Sequence, residues 1–315
     1  MKKFCSFLWS VLMILCLLAG CGNEVSPSVS TEDPSAPYQF RSGDLEKYTI
    51  VYDGENPDYF DLAYRLNEQI YNKYGKIVPS ARDTNSQPGT YEILLGDTNR
   101  DDHTGRVMEY SVTVDNGKFR INAGGSFSAE KAVEFLCEQV FNGQEFALDN
   151  GEYYQTSLLT AAQGIDDGAT RIMTANVLAD VFADSSYQNA YYRAEIFAGM
   201  LISYTPDVLG IQEADENWNN VLDMYLQKIQ KSHGITYERL LASYENKVNY
   251  SSLLYRSDKF KAETSDLSVF SWWTNKAFNH NYHMRNVSWA RFSALDAPEK
   301  TFLVANTHWS YRTEH

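Results

Sequence analysis

Three polar residues that could act together on a phosphate ester each follow a short apolar stretch of the chain. Asn176, Glu213 and His308 come at or just after the ends of segments that have the composition of buried strands. The carboxyl ends of such strands meet at one edge of a sheet, where ligands collect. There a carboxylate could hold Mg²⁺, an amide could position a phosphate or water, and an imidazole could donate to charge developing on phosphorus. The pattern predicts phosphate-ester chemistry.

Each of the three residues also has a structural interpretation that the sequence leaves open. Glu213 is followed by Asp215 and Glu216, so it could be one of several acids that complement the positive amino end of a helix. Asn176 could be an ordinary turn residue, and His308 a structural histidine. Spacing alone does not decide between these interpretations.

The elements that must position these residues form repeated strand–helix units after residue 170. We predict strands at 171–177 and 206–213 and helices at 191–204 and from Trp218 to Ile229. Shorter strands are predicted at 239–241, 252–255, 287–292 and 301–306. This order favours sheets packed together with helices outside.

An α+β region is predicted from residue 38 to residue 155. Leu62, Leu66 and Ile70 have helical spacing, and Asp115-Asn116-Gly117 is typical of a hairpin turn. A small, polar connector at residues 156–170 separates this region from residues 171–315.

Five segments of the second region resemble the endonuclease/exonuclease/phosphatase superfamily, which has the deoxyribonuclease-I-like fold. They occur in the family's order: MTANVLAD, PDVLGIQEAD, SLLYRSDKF, NVSWARF and VANTHWS. The resemblance implies an α/β sandwich and hydrolysis of phosphate esters with Mg²⁺ or Mn²⁺. It also implies that Asn176 is the first active-site Asn, Glu213 the metal-binding Glu and His308 the His of an Asn-x-His strand end.

The same resemblance implies further site residues and two motifs that the chain given does not contain in their expected place. Asn306, Tyr255 and Arg285 match positions where family members carry phosphate-facing or structural groups. The family's Gly-Asp-x-Asn motif and terminal Asp-His pair belong beyond the Asn-x-His strand, whereas the chain given ends at His315. We therefore expect an incomplete sandwich with little or no activity. Gly96-Asp97-Thr98-Asn99 and the nearby Asp102-His103 mimic both motifs but precede the catalytic region, where a turn is the simpler interpretation.

The region at residues 38–155 resembles the small α+β domain that precedes the catalytic barrel in several glycoside hydrolases. In that family it is an accessory, non-catalytic module. The fold expected for the whole chain is therefore an α+β accessory domain followed by an incomplete α/β sandwich of the deoxyribonuclease-I-like type.

Residues 1–21 have the features of a secretion signal. A basic start precedes an apolar run that ends in Leu17-Leu18-Ala19-Gly20-Cys21. This ending resembles the lipobox of bacterial lipoproteins, which implies lipidation of Cys21 and an address on the extracellular face of a bacterial membrane; a plain signal peptide is the alternative. Residues 22–37 are rich in Ser, Pro, Glu and Thr and predict a flexible tether.

The net charge of −14 limits which molecules the protein can attract. So acidic a protein will not attract long nucleic acid over a distance, but it could bind a phosphate ester through a divalent metal. A phospholipid, a nucleotide or another small phosphate ester is the expected substrate. The sequence does not indicate an oligomeric state.

Two other functions stay open. The chain could be a non-enzymatic surface lipoprotein whose aromatic-rich regions bind envelope glycan or a protein partner. Alternatively, the front region could belong to a carbohydrate-active enzyme.

Overall fold

A computed structural model describes residues 38–100, 104–159, 168–180, 188–240, 251–269 and 286–308. The described residues form one compact unit. The predicted signal peptide, Cys21 and the tether lie outside the described residues, as does Arg285. Within the described ranges, no helix is both long enough and apolar enough to cross a membrane.

The front part, residues 38–159, is a six-stranded sheet with two helices. Its elements are β1 (Gln39–Arg41), β2 (Thr49–Tyr52), α1 (Asp58–Tyr74), β3 (Ser80–Arg82), β4 (Glu92–Leu95), β5 (Glu109–Asp115), β6 (Lys118–Ala123), α2 (Ser126–Gln139), β7 (Ala147–Asp149) and β8 (Gly151–Ser157). The strand order of this front sheet is β3-β2-β4-β6-β5-β8, and β1 pairs separately with β7.

Both front helices bury one face against the sheet. In α1 the residues Leu62, Leu66 and Ile70 lie on the buried face, at the spacing that the sequence indicates. The helix ends at Gly75, whose φ of +67° suits a residue without a β-carbon. The predicted α+β character of this region is confirmed.

The rear part, residues 168–308, has three layers. Its elements are β9 (Ile172–Asn176), α3 (Ala190–Tyr204), β10 (Val208–Gln212), α4 (Glu216–His233), β11 (Tyr237–Leu240), β12 (Ser251–Arg256), β13 (Phe260–Val269), β14 (Asn286–Ala294) and β15 (Thr301–Thr307). A central sheet has the order β11-β12-β10-β9, and an outer sheet has the order β13-β14-β15.

The central sheet is covered on both faces. Leu209, Ile211 and Leu254 pack under α3 and α4, whereas Val208 and Leu253 face the outer sheet. All five residues of β10 are buried, as expected for a strand in the middle layer. The described part of the rear region is thus a mixed α/β arrangement of helices, sheet and sheet.

Strands β13 and β8 are among the elements that depart from the expectation. The sequence pattern does not predict β13, because a register shift between Ala262 and Thr264 interrupts its alternation of apolar and polar residues. Strand β8 pairs with β5 as far as Ser157, so it continues two residues into the predicted connector.

Candidate phosphate-ester site

Two parallel strands bring Asn176 and Glu213 to the same edge of the central sheet. Strands β9 and β10 are paired in register, with Asn176 opposite Gln212. The residue after Gln212 is Glu213, so both side chains lie at the carboxyl edge, where the sequence places them. Directly beyond, Asp215 caps α4 by accepting a hydrogen bond from the backbone of Trp218 at 2.9 Å.

The carboxylate of Glu213 is the centre of the site. Its Oε1 accepts a hydrogen bond from Nδ2 of Asn176 at 2.8 Å and lies 3.3 Å from Nε2 of His308. Its Oε2 accepts from the backbone N–H of Ala179 at 3.4 Å. Glu213 is therefore in reach of both Asn176 and His308, and its side chain keeps 22% of its surface open to solvent.

The backbone is strained on both sides of this contact. Glu213 has a φ of +64° and Leu178 a φ of +56°, values that residues with a β-carbon seldom adopt. Such conformations cost about 1–3 kcal/mol each and cluster at functional sites. The N–H of Leu178 donates to Oδ1 of Asn176 at 3.0 Å, so the strained turn also fixes the amide.

Asn306 connects the two sheets beneath the site. Its Nδ2 donates to the carbonyl oxygens of Ile211 and Ser252, each at 2.9 Å, and its Oδ1 accepts from Nε2 of Gln212 at 2.5 Å. The residue is 5% exposed. This geometry gives Asn306 a bridging role, while the predicted contact with phosphate stays a prediction.

Gly210 allows this bridge to form. A β-carbon on Gly210 would lie 2.7 Å from Oδ1 of Asn306, closer than real contacts allow. The absence of a side chain at position 210 therefore lets the outer sheet approach the central sheet.

Tyr255 does not join the site. It pairs with Val208 at the other end of β10, about 16 Å along the strand from Glu213. Its hydroxyl donates to Oε2 of Glu238 at 2.7 Å, and the residue is 5% exposed. The strand predicted at 252–255 is confirmed as part of β12, but β12 runs antiparallel to β10 and carries Tyr255 away from Glu213. Arg285 lies outside the described residues.

The Gly96–Asn99 sequence that mimics a family motif forms a turn of the front sheet. Oδ2 of Asp97 accepts from Nζ of Lys228 at 2.7 Å, and its Oδ1 accepts from the N–H of Gly105 at 2.8 Å. The same Nζ donates to the carbonyl of Gly124 at 2.8 Å. This turn therefore holds α4 against the front part; Asp102 and His103 lie outside the described residues.

The contacts from the backbone of Leu178 and Ala179 were missed at the sequence level. Every residue except proline can supply a backbone N–H group, so side-chain identity carries little signal for such donors. The only available indication is that the loop follows directly on Asn176.

The donor set at Glu213 fits a hard divalent cation held by few protein ligands. Across the described ranges there is no group of three His, Cys, Asp or Glu residues that could hold a metal ion. Mg²⁺, however, is commonly bound through one or two carboxylates together with water and phosphate oxygens. Glu213 supplies such a carboxylate, partly open to solvent, with the amide of Asn176 beside it.

Comparison with known proteins finds similarity in solved structures alone. No family model matches the chain, and no curated protein matches it. An endonuclease/exonuclease/phosphatase from Bacteroides vulgatus is 20% identical, with a TM-score of 0.36, over 45% of this chain and 53% of that one. A mannosyl-6-phosphatase from Bacteroides thetaiotaomicron is 17% identical, with a TM-score of 0.34, over 46% of this chain and 54% of that one.

A third similar structure belongs to another class. It is a mutant β-hexosaminidase from Streptomyces plicatus, 12% identical with a TM-score of 0.28, over 57% of this chain and 32% of that one. This chain spans about half the length of the two phosphatase-type structures. Likeness at this level assigns neither a family nor an activity.

Proposed function

We propose that this chain is part of a divalent-metal-dependent phosphoester hydrolase, a phosphodiesterase or phosphatase of the endonuclease/exonuclease/phosphatase type. The observation that supports the proposal is the convergence of Asn176, Glu213 and His308 at one sheet edge. They come from three strands, and Oε1 of Glu213 lies within 3.3 Å of a nitrogen of each of the other two.

The three side chains have separate roles in this proposal. Glu213 holds the cation through carboxylate oxygen. His308, 3.3 Å away, donates a proton or hydrogen bond to the phosphate oxygen on which charge develops. Asn176 orients the carboxylate through its 2.8 Å hydrogen bond and positions phosphate or water. A bound Mg²⁺ or Mn²⁺ would stabilise negative charge on the phosphoryl group.

A small extracellular substrate is the second part of the proposal. The net charge of −14 disfavours long nucleic acid, so we propose a phospholipid, a nucleotide or another small phosphate ester. We also propose that lipidation of Cys21 holds the protein on the outer surface of a bacterial membrane.

Cation binding tests the proposal directly. The 315-residue chain is titrated with Mn²⁺ and Mg²⁺ by calorimetry, next to Glu213→Gln and Glu216→Gln. Glu216 is an exposed acid in the first turn of α4, so its substitution is the matched control for a carboxylate that only complements the helix. We expect Glu213→Gln to abolish binding and Glu216→Gln to leave it unchanged.

Equal effects of the two substitutions, or no cation binding by the unaltered chain, would reject the proposal. Turnover is measured separately on an aryl phosphodiester. In any longer product of the same gene, we expect turnover that depends on metal and is lost with Glu213→Gln.

One observation favours glycan binding as a second function. Helix α1 exposes Phe60, Tyr64 and Tyr71, each by more than half of its surface. Exposed aromatic rings offer flat faces on which sugars can stack. Binding to envelope glycan fragments that falls with Tyr64→Ala, in a protein that binds no cation, would favour this function over hydrolysis.

A further inference from the structure

Arg193, on the first turn of α3, holds the loop that follows Asn176. Its guanidinium donates to the carbonyl oxygens of Val177 and Leu178, the latter at 2.7 Å. Its second terminal nitrogen lies 3.2 Å from Oδ1 of Asp180. Its Nε donates to the carbonyl of Gln188 at 2.6 Å, so all three guanidinium nitrogens are engaged.

The surroundings fix the guanidinium. It lies over the ring of Trp218, with 5.6 Å from its central carbon to the ring centroid, and Trp218 is 2% exposed. The other carboxylate oxygen of Asp180 accepts from Nδ2 of Asn217 at 2.7 Å. Arg193 and Asp180 keep only 17% and 22% of their side-chain surface exposed, so this pair is better shielded from water than a surface ion pair.

The held loop contacts both oxygen-bearing side chains of the site. The N–H of Leu178 donates to Asn176, and the N–H of Ala179 donates to Glu213. Leu178 makes its contact from a left-handed backbone conformation that carries strain. The hydrogen bond from Arg193 to the carbonyl of Leu178 stabilises the peptide on the other side of that residue.

We propose that Arg193 is a positioning residue: by binding the carbonyls of Val177 and Leu178, it aims the amide of Asn176 and the N–H of Ala179 at Glu213. It touches neither the cation nor the substrate in this proposal, which rests on the proposed function of the same site. A planar guanidinium with several donors can bind two carbonyls and a carboxylate at once, whereas a lysine ammonium offers a single charged nitrogen.

The experiment compares four proteins: the unaltered chain, Arg193→Gln, Arg193→Lys and the control Arg65→Gln. Arg65 forms ion pairs with Glu130 and Glu134 in the front part, so its loss removes an arginine without touching the loop. Thermal unfolding confirms that each protein is folded. Mn²⁺ affinity is then measured by calorimetry, and hydrogen exchange is measured at the amides of Leu178 and Ala179.

We expect Arg193→Gln to weaken Mn²⁺ binding about 10- to 100-fold, the usual effect of losing a residue that orients a metal ligand. Hydrogen exchange at the amides of Leu178 and Ala179 should become faster, and added guanidinium ion should partly restore the affinity for Mn²⁺. Arg193→Lys should lie in between, and Arg65→Gln should match the unaltered chain. The partial recovery with lysine or guanidinium separates positioning from a general loss of stability.

Unchanged Mn²⁺ affinity and unchanged exchange in folded Arg193→Gln would overturn the inference. If Arg193→Gln does not fold, the same two measurements on Arg193→Lys decide. If the unaltered chain binds no cation, the proposed function fails; faster exchange in Arg193→Gln would then still show that Arg193 holds the loop, and unchanged exchange would reject that as well.

Discussion

Nδ2 of Asn176 donates to Oε1 of Glu213 at 2.8 Å, although the two residues are 37 positions apart in the sequence. The contact exists because β9 and β10 are parallel and in register, so both strands end at the same edge of the sheet. An amide placed against a carboxylate satisfies one of its acceptor positions without adding a second acid. In the proposed function, this carboxylate is the group that binds the cation.

Replacing this amide with an acid should make stability depend on cations. In Asn176→Asp two carboxylates would lie at hydrogen-bonding distance, and their repulsion should cost at least about 1 kcal/mol without a cation. Added Mg²⁺ should recover this loss, so the Mg²⁺-induced rise in melting temperature should exceed that of the unaltered protein. The exposed Asn220→Asp is the control and should show no such rise. An equal Mg²⁺ response in all three proteins would contradict the prediction.

Close approach of the two sheets should make position 210 intolerant of a side chain. Gly210→Ala places a β-carbon 2.7 Å from Asn306 and should lower the free energy of unfolding by about 1–3 kcal/mol. Asn306→Ala should cost about as much, because the carbonyls of Ile211 and Ser252 lose their donor. The double substitution should cost clearly less than the sum, since the clash disappears with Asn306. Denaturant unfolding of the four proteins measures this; additive costs would contradict it.

Asp53 should make the protein less stable as the pH rises through the weakly acidic range. Burial, reinforced by the charges of Asp97 and Asp83, raises the pKa of Asp53 from 3.8 to about 6. Between these values the folded protein binds a proton that the unfolded chain releases, so stability falls as the pH rises and is lowest above about pH 6. Asp53→Asn removes the charge and keeps an acceptor for the N–H of Glu55, which Asp53 now binds at 2.8 Å.

We therefore expect Asp53→Asn to be more stable than the unaltered protein at pH 7.5 and no more stable near pH 3.5. Chemical unfolding across this range is the measurement. A difference between the two proteins that does not change with pH would contradict the assignment. Glu68→Gln, which removes an exposed acid of α1, is the control.

Glu195 should be required for the contact between α3 and the front part. Its carboxylate accepts from the N–H of Met108 at 3.1 Å and from the N–H and hydroxyl of Ser128, at 3.0 and 2.6 Å, at the amino end of α2. Burial raises the pKa of Glu195, and these hydrogen bonds oppose the rise. Glu195→Ala leaves buried donors without an acceptor and should cost about 1–3 kcal/mol for each.

Glu195→Gln keeps one acceptor oxygen and should cost less than Glu195→Ala. The exposed Glu138→Ala, also at a helical position, should have little effect. Unfolding free energies at pH 7 test this order. Equal losses for the Gln and Ala variants would show that the hydrogen bonds to Glu195 contribute little.

Local pattern was sufficient to predict most of the elements and to single out three residues that meet at one sheet edge. Strand ends are visible in sequence because an apolar run stops at a polar residue, as at Asn176 and Glu213. Helix ends are visible where the capping residue has a distinctive type, as Gly75 has at the end of α1. These signals are local, and they fix where an element ends.

What the sequence could not provide was register and three-dimensional contact. Tyr255 lies near the site only if its strand runs parallel to β10, and nothing in the strand itself states its direction. Asn306 is of a residue type expected in a site, yet its side chain forms hydrogen bonds to Ile211, Ser252 and Gln212 across the interface between the two sheets. The role of Arg193 depends on backbone carbonyls, which every residue carries.

The bond from Lys228 to the turn at Asp97 has a consequence for how the protein unfolds. Helix α4 begins three residues after Glu213 and carries Lys228 to the front sheet, where its ammonium binds Asp97 and the carbonyl of Gly124. Glu195 makes a second, buried connection from α3 to the front part. Neither connection survives if one part melts alone, so each part adds to the stability of the other. We expect one cooperative transition in calorimetry, in which the site and the front sheet are lost together.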